Sequence, residues 1–263
     1  MTPPCARSRF AGKNSRVPRG YFTLTGLKLF IVHSHYRPGG VRRVIELAAP
    51  EVVAALEPEP TEVVLLGGEV PDQTWLARFR ERVGGVAVTC AIEPALGYIS
   101  EQRVQPATIT RRVRAHLRRC FGGASCEDCV VWAHNPGLGR NLILACELGR
   151  IAAELKIPMI FHHHDWWFDN RWARWPEMQR TGFRTLANVA EAILPTSATV
   201  RHAAINQADA RVLRRNFGAH TAWVPNPAAP DLPLPTARVR RARNWFREQL
   251  GDDGPVWLVP CRL

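Results

Sequence analysis

Three consecutive histidines followed by a carboxylate, His162-His163-His164-Asp165, are the residues of this chain best suited to chemistry. They end an apolar run, Pro158-Met159-Ile160-Phe161, that reads as a strand. Side chains alternate along a strand, which puts His162 and His164 on one face and His163 on the other. Three imidazoles beside a carboxylate at a strand's carboxyl end point to function. Metal binding is one use for them, although their spacing matches no standard zinc pattern. Trp166, Trp167, Trp172 and Trp175 follow closely. Their flat faces suit stacking on sugar rings or bases, and they would equally seal the loop onto its domain.

Two turns carry further candidates. Pro38-Gly39-Gly40-Val41-Arg42-Arg43 lies between the first strand and the first helix. Paired glycines let the backbone approach a ligand, and exposed amides at a helix N-terminus favour a phosphate. The pattern is not G-x-G-x-x-G, which disfavours a nicotinamide cofactor. His134-Asn135-Pro136-Gly137-Leu138-Gly139-Arg140-Asn141 also follows a strand and precedes a helix. It therefore points to the same sheet edge, with Asn141 able to cap the helix. Cys126-Glu127-Asp128-Cys129 is a lone C-x-x-C without a second pair, and free thiols in a loop account for it.

These residues need elements to hold them. Strands are expected at Leu27–His33, Val63–Leu66, Val86–Val88, Val130–His134, Pro158–His162, Ala192–Leu194 and Ala222–Val224. Helices are expected at Val41–Leu56, where Pro50 would kink or shorten the element, and from Asp72 to about Val83. Others are expected from Pro106 to Phe121, at Leu142–Leu155, at Glu177–Val189 and at Ala198–Gln207. Strands separated by helical patterns imply right-handed crossovers. The fold class is therefore α/β, a Rossmann-like doubly wound and mostly parallel sheet, whose ligands sit beyond the strands' carboxyl ends.

The domain reading has four parts. Residues 1–26 are basic, contain no acidic residue and lack the apolar core of a secretion signal, which makes them a disordered extension. Residues 27–224 form the Rossmann-like domain. Residues 225–235 hold five prolines and make a stiff connector. Residues 236–263 begin a second domain with a basic helix from Thr236 to Leu250, Gly251 at its end, and an apolar segment, Val256 to Leu263.

The formal charge is +12, from 35 Lys+Arg and 23 Asp+Glu. That excess favours anionic partners. The basic residues are dispersed and no nucleic-acid motif is present, so no specific nucleic-acid partner is expected. The helix over 108–121, with Arg111, Arg112, Arg114, Arg118 and Arg119, leaves two readings open: a solvated face, or peripheral contact with an acidic membrane. Seven scattered cysteines, an odd number, suit reduced thiols in the cytoplasm.

In this order the elements resemble the N-terminal half of GT-B-fold glycosyltransferases, specifically the retaining enzymes of glycosyltransferase family four. The resemblance rests on His33–Val44, the His134-Asn135-Pro136 turn, His164-Asp165, Pro195-Thr196-Ser197 and Val224-Pro225-Asn226-Pro227. It implies transfer of a sugar, with retention, from a nucleotide-diphosphate sugar to the hydroxyl of a carbohydrate or lipid-linked acceptor. This chain would carry the acceptor-side half. It implies catalytic positions at His164 and Asp165. Substrate-binding positions would be Gly39, Gly40, Arg43, His134, Asn135 and Trp166. The glycine loop would meet the donor's diphosphate, and His164 the transferred sugar near its reacting carbon. No metal and no cofactor beyond the donor are implied. The family's Arg/Lys pair and glutamate motif belong to its C-terminal domain and do not occur in this sequence. The alternative is a non-catalytic α/β module that binds sugar or nucleotide, either degenerate or one half of a split transferase.

Overall fold

The computed structural model describes residues 26–123, 127–169, 172–228 and 236–251. All but the last residue of the basic extension, most of the proline-rich connector and the Val256–Leu263 segment lie outside them. By internal contacts the chain forms two units that divide between Pro225 and Asn226.

The first unit is built on seven parallel strands: β1 (Lys28–Val32), β2 (Glu62–Gly67), β3 (Ala87–Ile92), β4 (Cys129–His134), β5 (Met159–His163), β6 (Val200–Ala204) and β7 (Thr221–Trp223). Their order is β3-β2-β1-β4-β5-β6-β7, and every neighbouring pair is parallel. The chain winds one way from β1 to β3 and the other way from β4 to β7. That reversal leaves a crevice at the carboxyl ends of β1 and β4, where such folds bind ligands.

Both faces of the sheet are covered, which explains the nearly unbroken apolar strands. Leu29, Ile31, Val63, Leu65 and Trp132 pack with α1 (Gly40–Ala55) and α2 (Gln73–Arg82) through Ile45, Ala49, Val53, Trp75 and Phe79. Phe30, Val32, Val131, Ala133 and Phe161 face α3 (Pro106–Phe121) and α4 (Leu142–Leu155). Pro50 neither ends nor shortens α1. Val44, Ile45, Ala49 and Val53 are buried on either side of it, and their packing holds the helix through the missing N–H.

The stretch 175–207 departs from expectation. The single helix expected at Glu177–Val189 is two: α5 (Trp175–Arg180) and α6 (Leu186–Ile193). Gly182, at φ 100°, turns the chain between them, and the Thr185 side chain accepts the Asn188 N–H to start α6. The expected strand Ala192–Leu194 is the end of α6, where Val189, Ala192 and Ile193 share a buried stripe. The expected helix Ala198–Gln207 is instead β6, followed by α7 (Gln207–Phe217), which Asn206 caps by accepting the Asp209 N–H. Short Ala-rich runs carry almost no periodicity, so the register of β6 on β5 decides the outcome. In the second unit, α8 (Thr236–Leu250) ends at Gly251, which has φ 63° and donates its N–H to Arg247 O.

The connections at the carboxyl edge depend on close backbone approach. A Cβ at Gly68 would lie 2.5 Å from Gly97 N and 2.6 Å from its Cα, with no flexible side chain to yield. A Cβ at Gly40 would meet nothing within 4 Å. Gly68→Ala is therefore expected to cost about 1–3 kcal/mol. Gly40→Ala should remain within about 1 kcal/mol of the parent. Urea unfolding of both variants checks the contrast, and equal losses would contradict it.

Candidate functional site

Alternation divides the histidines between the two sides of the sheet. Trp132 packs on the α1 side, and His134, two residues on, shares its face. His134 and His164 meet at 3.0 Å between Nδ1 and Nε2, and their rings stack at 5.3 Å. His162 lies beside them, its ring 4.5 Å from that of His164. His33, just past β1, bonds the His134 carbonyl through Nδ1 at 3.4 Å. His163 faces the other way, sandwiched by Trp166 at 4.6 Å and His202 at 5.5 Å.

The hydrogen bonds fix several tautomers. Trp132 Nε1–H donates to His162 Nδ1 at 3.3 Å, so His162 carries its proton on Nε2 and gives it to Val224 O at 3.2 Å. On the other side, His202 Nε2–H donates to Pro195 O at 3.0 Å. Its Nδ1 then accepts from His163 Nε2–H at 3.3 Å. His163 Nδ1 is buried and makes no bond.

Burial is the first cause of the pKa shifts that follow. It lowers His33 to about 3, where the neighbouring charge of His35 adds to it. His162 and His202 each fall to about 4 for the same reason. His134 and His163 are held well below the ordinary imidazole value, burial being reinforced by surrounding histidines. These five imidazoles are neutral at pH 7.

Asn135 fixes this edge. It takes the left-handed conformation at φ 59°, ψ 39°. Its side-chain oxygen accepts the N–H groups of His164 at 3.3 Å and Asp165 at 3.0 Å. Its amide donates to Asp165 Oδ2 at 3.0 Å, and its main-chain N–H to His162 O at 2.7 Å. A Cβ at Gly137 would sit 2.8 Å from His163 Nδ1 and 3.0 Å from Asp165 O, so this loop lies directly on the 163–166 turn.

Of the residues singled out in the sequence, His134, Asn135, His164 and Asp165 come together. Gly39 and Gly40 are exposed at the start of α1, Gly39 being its N-cap. Arg43 is engaged elsewhere, bonding Glu46 at 2.9 Å along α1, with Arg82 also on Glu46 at 3.3 Å. Trp166 is buried, and its indole N–H donates to Asp209 at 2.7 Å. Its ring covers His163 and leaves no open face on that side. The neighbouring ring with free surface is Phe168, 46% exposed. On α3, Arg112 pairs with Glu93, Arg114 with Glu147 and Arg118 with Glu154.

Ligand nitrogens of His134, His162 and His164 lie within 4.8 Å of one another and could hold a metal ion. To ligate one through Nδ1, His162 would release its bond from Trp132. Sequence reasoning missed Tyr98 and gave Arg140 only as part of the candidate turn; both line a small cavity with His33, Ser34, His134 and Asn135. Tyr98 sits in the connection after β3, far from β4 in sequence, and no local pattern marks it. Among the described residues, no helix is long and apolar enough to cross a membrane.

No protein-family model matches the chain, and no curated protein matches it. Among solved structures it is similar to Anabaena HepE in complex with UDP and glucose, at 13% identity and a TM-score of 0.43, over 86% of this chain and 50% of that one. It is also similar to Phytolacca americana UGT2 complexed with UDP-2-fluoro-glucose and pterostilbene, at 13% identity and a TM-score of 0.41, over 80% of this chain and 54% of that one. The chain thus spans about half the length of either structure.

The neutral histidines set the acid response. Their folded pKa values lie below the 6.5 of a free imidazole, so the unfolded chain binds more protons as pH falls. Their contribution to stability is complete above pH 6.5 and is lost progressively toward pH 4. Each should remove about 1.4 kcal/mol per pH unit within that window. Urea midpoints from pH 7.5 to 4.5 are expected to fall steeply below 6.5, and His202→Gln should flatten the slope. A midpoint independent of pH would contradict the burial assigned to these rings.

Proposed function

We propose that this chain is the acceptor-side half of a retaining GT-B glycosyltransferase of the family-four type, acting with a donor-binding half. The observation that carries the reading is the His134–His164 pair at the carboxyl edge of β4 and β5. There a half-buried His164 is aligned by a 3.0 Å bond and Asp165 is held by Asn135. The ordered sequence motifs support it, as does an exposed Gly39-Gly40 turn at the start of α1.

In this reading a sugar is passed from a nucleotide diphosphate to an acceptor hydroxyl. The acceptor oxygen bonds the anomeric carbon on the face the diphosphate leaves. The carbon–oxygen bond to the diphosphate breaks, and the acceptor's proton departs with it. His164 contacts the transferred sugar near the reacting carbon. Its neighbour His134, being neutral, adds no charge that would repel a cationic transition state. The α1 amides behind Gly39 and Gly40 meet part of the growing charge on the diphosphate. The donor-binding half supplies the remaining cations. Arg43 has a subordinate part, since Glu46 already neutralises it. The paired arginines of α3 leave Arg111 and Arg119 as that helix's cations for any contact with an acidic membrane.

The test is a protein comprising this chain and a donor-binding half, assayed for nucleoside-diphosphate release over a panel of donors and acceptors. Product stereochemistry is read by NMR. Retention is expected, and His164→Ala should lower kcat about 100-fold or more while the urea midpoint stays near that of the parent. Turnover unaffected by that substitution would remove His164 from the mechanism. Saturable sugar or nucleotide binding with no turnover on any donor would favour the non-catalytic module.

A further inference from the structure

The crevice holds one cation that its surroundings do not account for. Arg140 lies in the β4–α4 loop. Its guanidinium stacks on Tyr98, with Cζ 4.7 Å from the ring centroid. Its Nε is buried and makes no hydrogen bond, and among the described residues no carboxylate forms an ion pair with it. Glu101, whose carboxyl senses the Arg140 charge, is held low chiefly by Arg37, which grips it with two bonds of 2.8 and 2.9 Å. A second polar atom at this sheet edge is also unsatisfied. His134 Nε2 is buried without a partner, on a residue only 5% exposed.

Both residues line one cavity of about 30 Å³, together with His33, Ser34, Tyr98 and Asn135. The pocket is held rigidly. Ile99 N–H donates to Arg140 O at 3.0 Å. Asn141 donates to Ala95 O at 2.9 Å and Gly97 O at 2.7 Å, tying the β4–α4 loop to the connection that carries Tyr98. His35 meets Tyr98 in a T-shaped ring contact at 4.7 Å.

A half-buried guanidinium whose Nε is shut in without an acceptor favours an oxyanion. We infer that Arg140 binds a phosphoryl group at this cavity. The cavity has room for one or two water-sized groups, so only the end of a ligand can enter it. The free oxygens of a terminal phosphomonoester meet that limit, with the rest of the group at the mouth. The diphosphate of a sugar donor, flanked on both sides, does not. Resting on the transferase reading, the inference makes the acceptor a phosphorylated molecule.

Isothermal titration of the purified chain with inorganic phosphate at low ionic strength tests the site. Saturable one-to-one binding is expected. Arg140→Gln should weaken it at least about tenfold, and Arg140→Lys should retain part of it. Arg150→Gln, removing an exposed arginine that pairs with Glu147 on α4, should leave it unchanged. Circular dichroism confirms that each variant is folded. No binding to the parent, or equal binding by Arg140→Gln, overturns the site. Displacement of phosphate by glucose 6-phosphate but not by UDP-glucose is the expected competition. Displacement by UDP-glucose would assign the pocket to the donor and overturn the phosphorylated acceptor. The phosphate arm needs no transfer activity, so failure of the transferase reading would leave it standing.

Discussion

One amide side chain sets the geometry of the carboxyl edge. Asn135 sits where the chain leaves β4, in a left-handed conformation that few residues other than glycine adopt cheaply. From there its oxygen receives two main-chain N–H groups past the end of β5, and its nitrogen reaches the Asp165 carboxylate. Strand pairing alone aligns β4 and β5 only as far as His134 and His162. Beyond that point Asn135 continues the alignment, so His164 and Asp165 inherit their position from it. Aspartate could take the same backbone conformation. It would lose the donated bond and set its charge against that of Asp165.

The parallel sheet imposes the second condition. With helices on both faces, a histidine near a strand end is buried whichever way it points. It must then be neutral and must find partners for both nitrogens. His162 and His202 satisfy this through Trp132, Val224, Pro195 and His163. His134 and His163 each leave one nitrogen unsatisfied. The two unpartnered nitrogens differ in setting. That of His163 lies against Gly137 under the Trp166 ring, where a Cβ would already collide. That of His134 belongs to a residue lining a cavity with a cation in it.

What the sequence disclosed follows from range. β1, β2, β4 and β5 are apolar runs whose identity is local, and alternation alone separated His163 from its neighbours. Asp72 and Asn141 announced their helices because capping needs only residues three positions on. The stretch 192–207 was misread because Ala-Ile-Leu and Val-Arg-His-Ala-Ala suit either state until β5 is in place. The surroundings of Arg140 were illegible for the same reason. Tyr98 and Arg140 meet through bonds between two loops 42 positions apart in the chain, and neither loop has a period to read. Trp166 was legible as an aromatic beside the histidines. Its hydrogen bond to Asp209, which turns the ring toward packing, lies 43 residues downstream.

The same distinction governs how charge should be read. With 35 Lys+Arg against 23 Asp+Glu, the chain must carry arginines that no carboxylate can match. Several carboxylates are drawn into networks: Glu69 and Glu101 on Arg37, Glu46 between Arg43 and Arg82, Glu147 between Arg114 and Arg150. An unmatched arginine in water loses little, because solvent supplies its hydrogen bonds. Surplus positive charge therefore locates nothing by itself, and a basic helix face is weak evidence for a partner. The cost arises where solvent is excluded. A guanidinium is thus informative about a ligand only where its nitrogens are shut away from water, as Arg140 Nε is in the loop after β4.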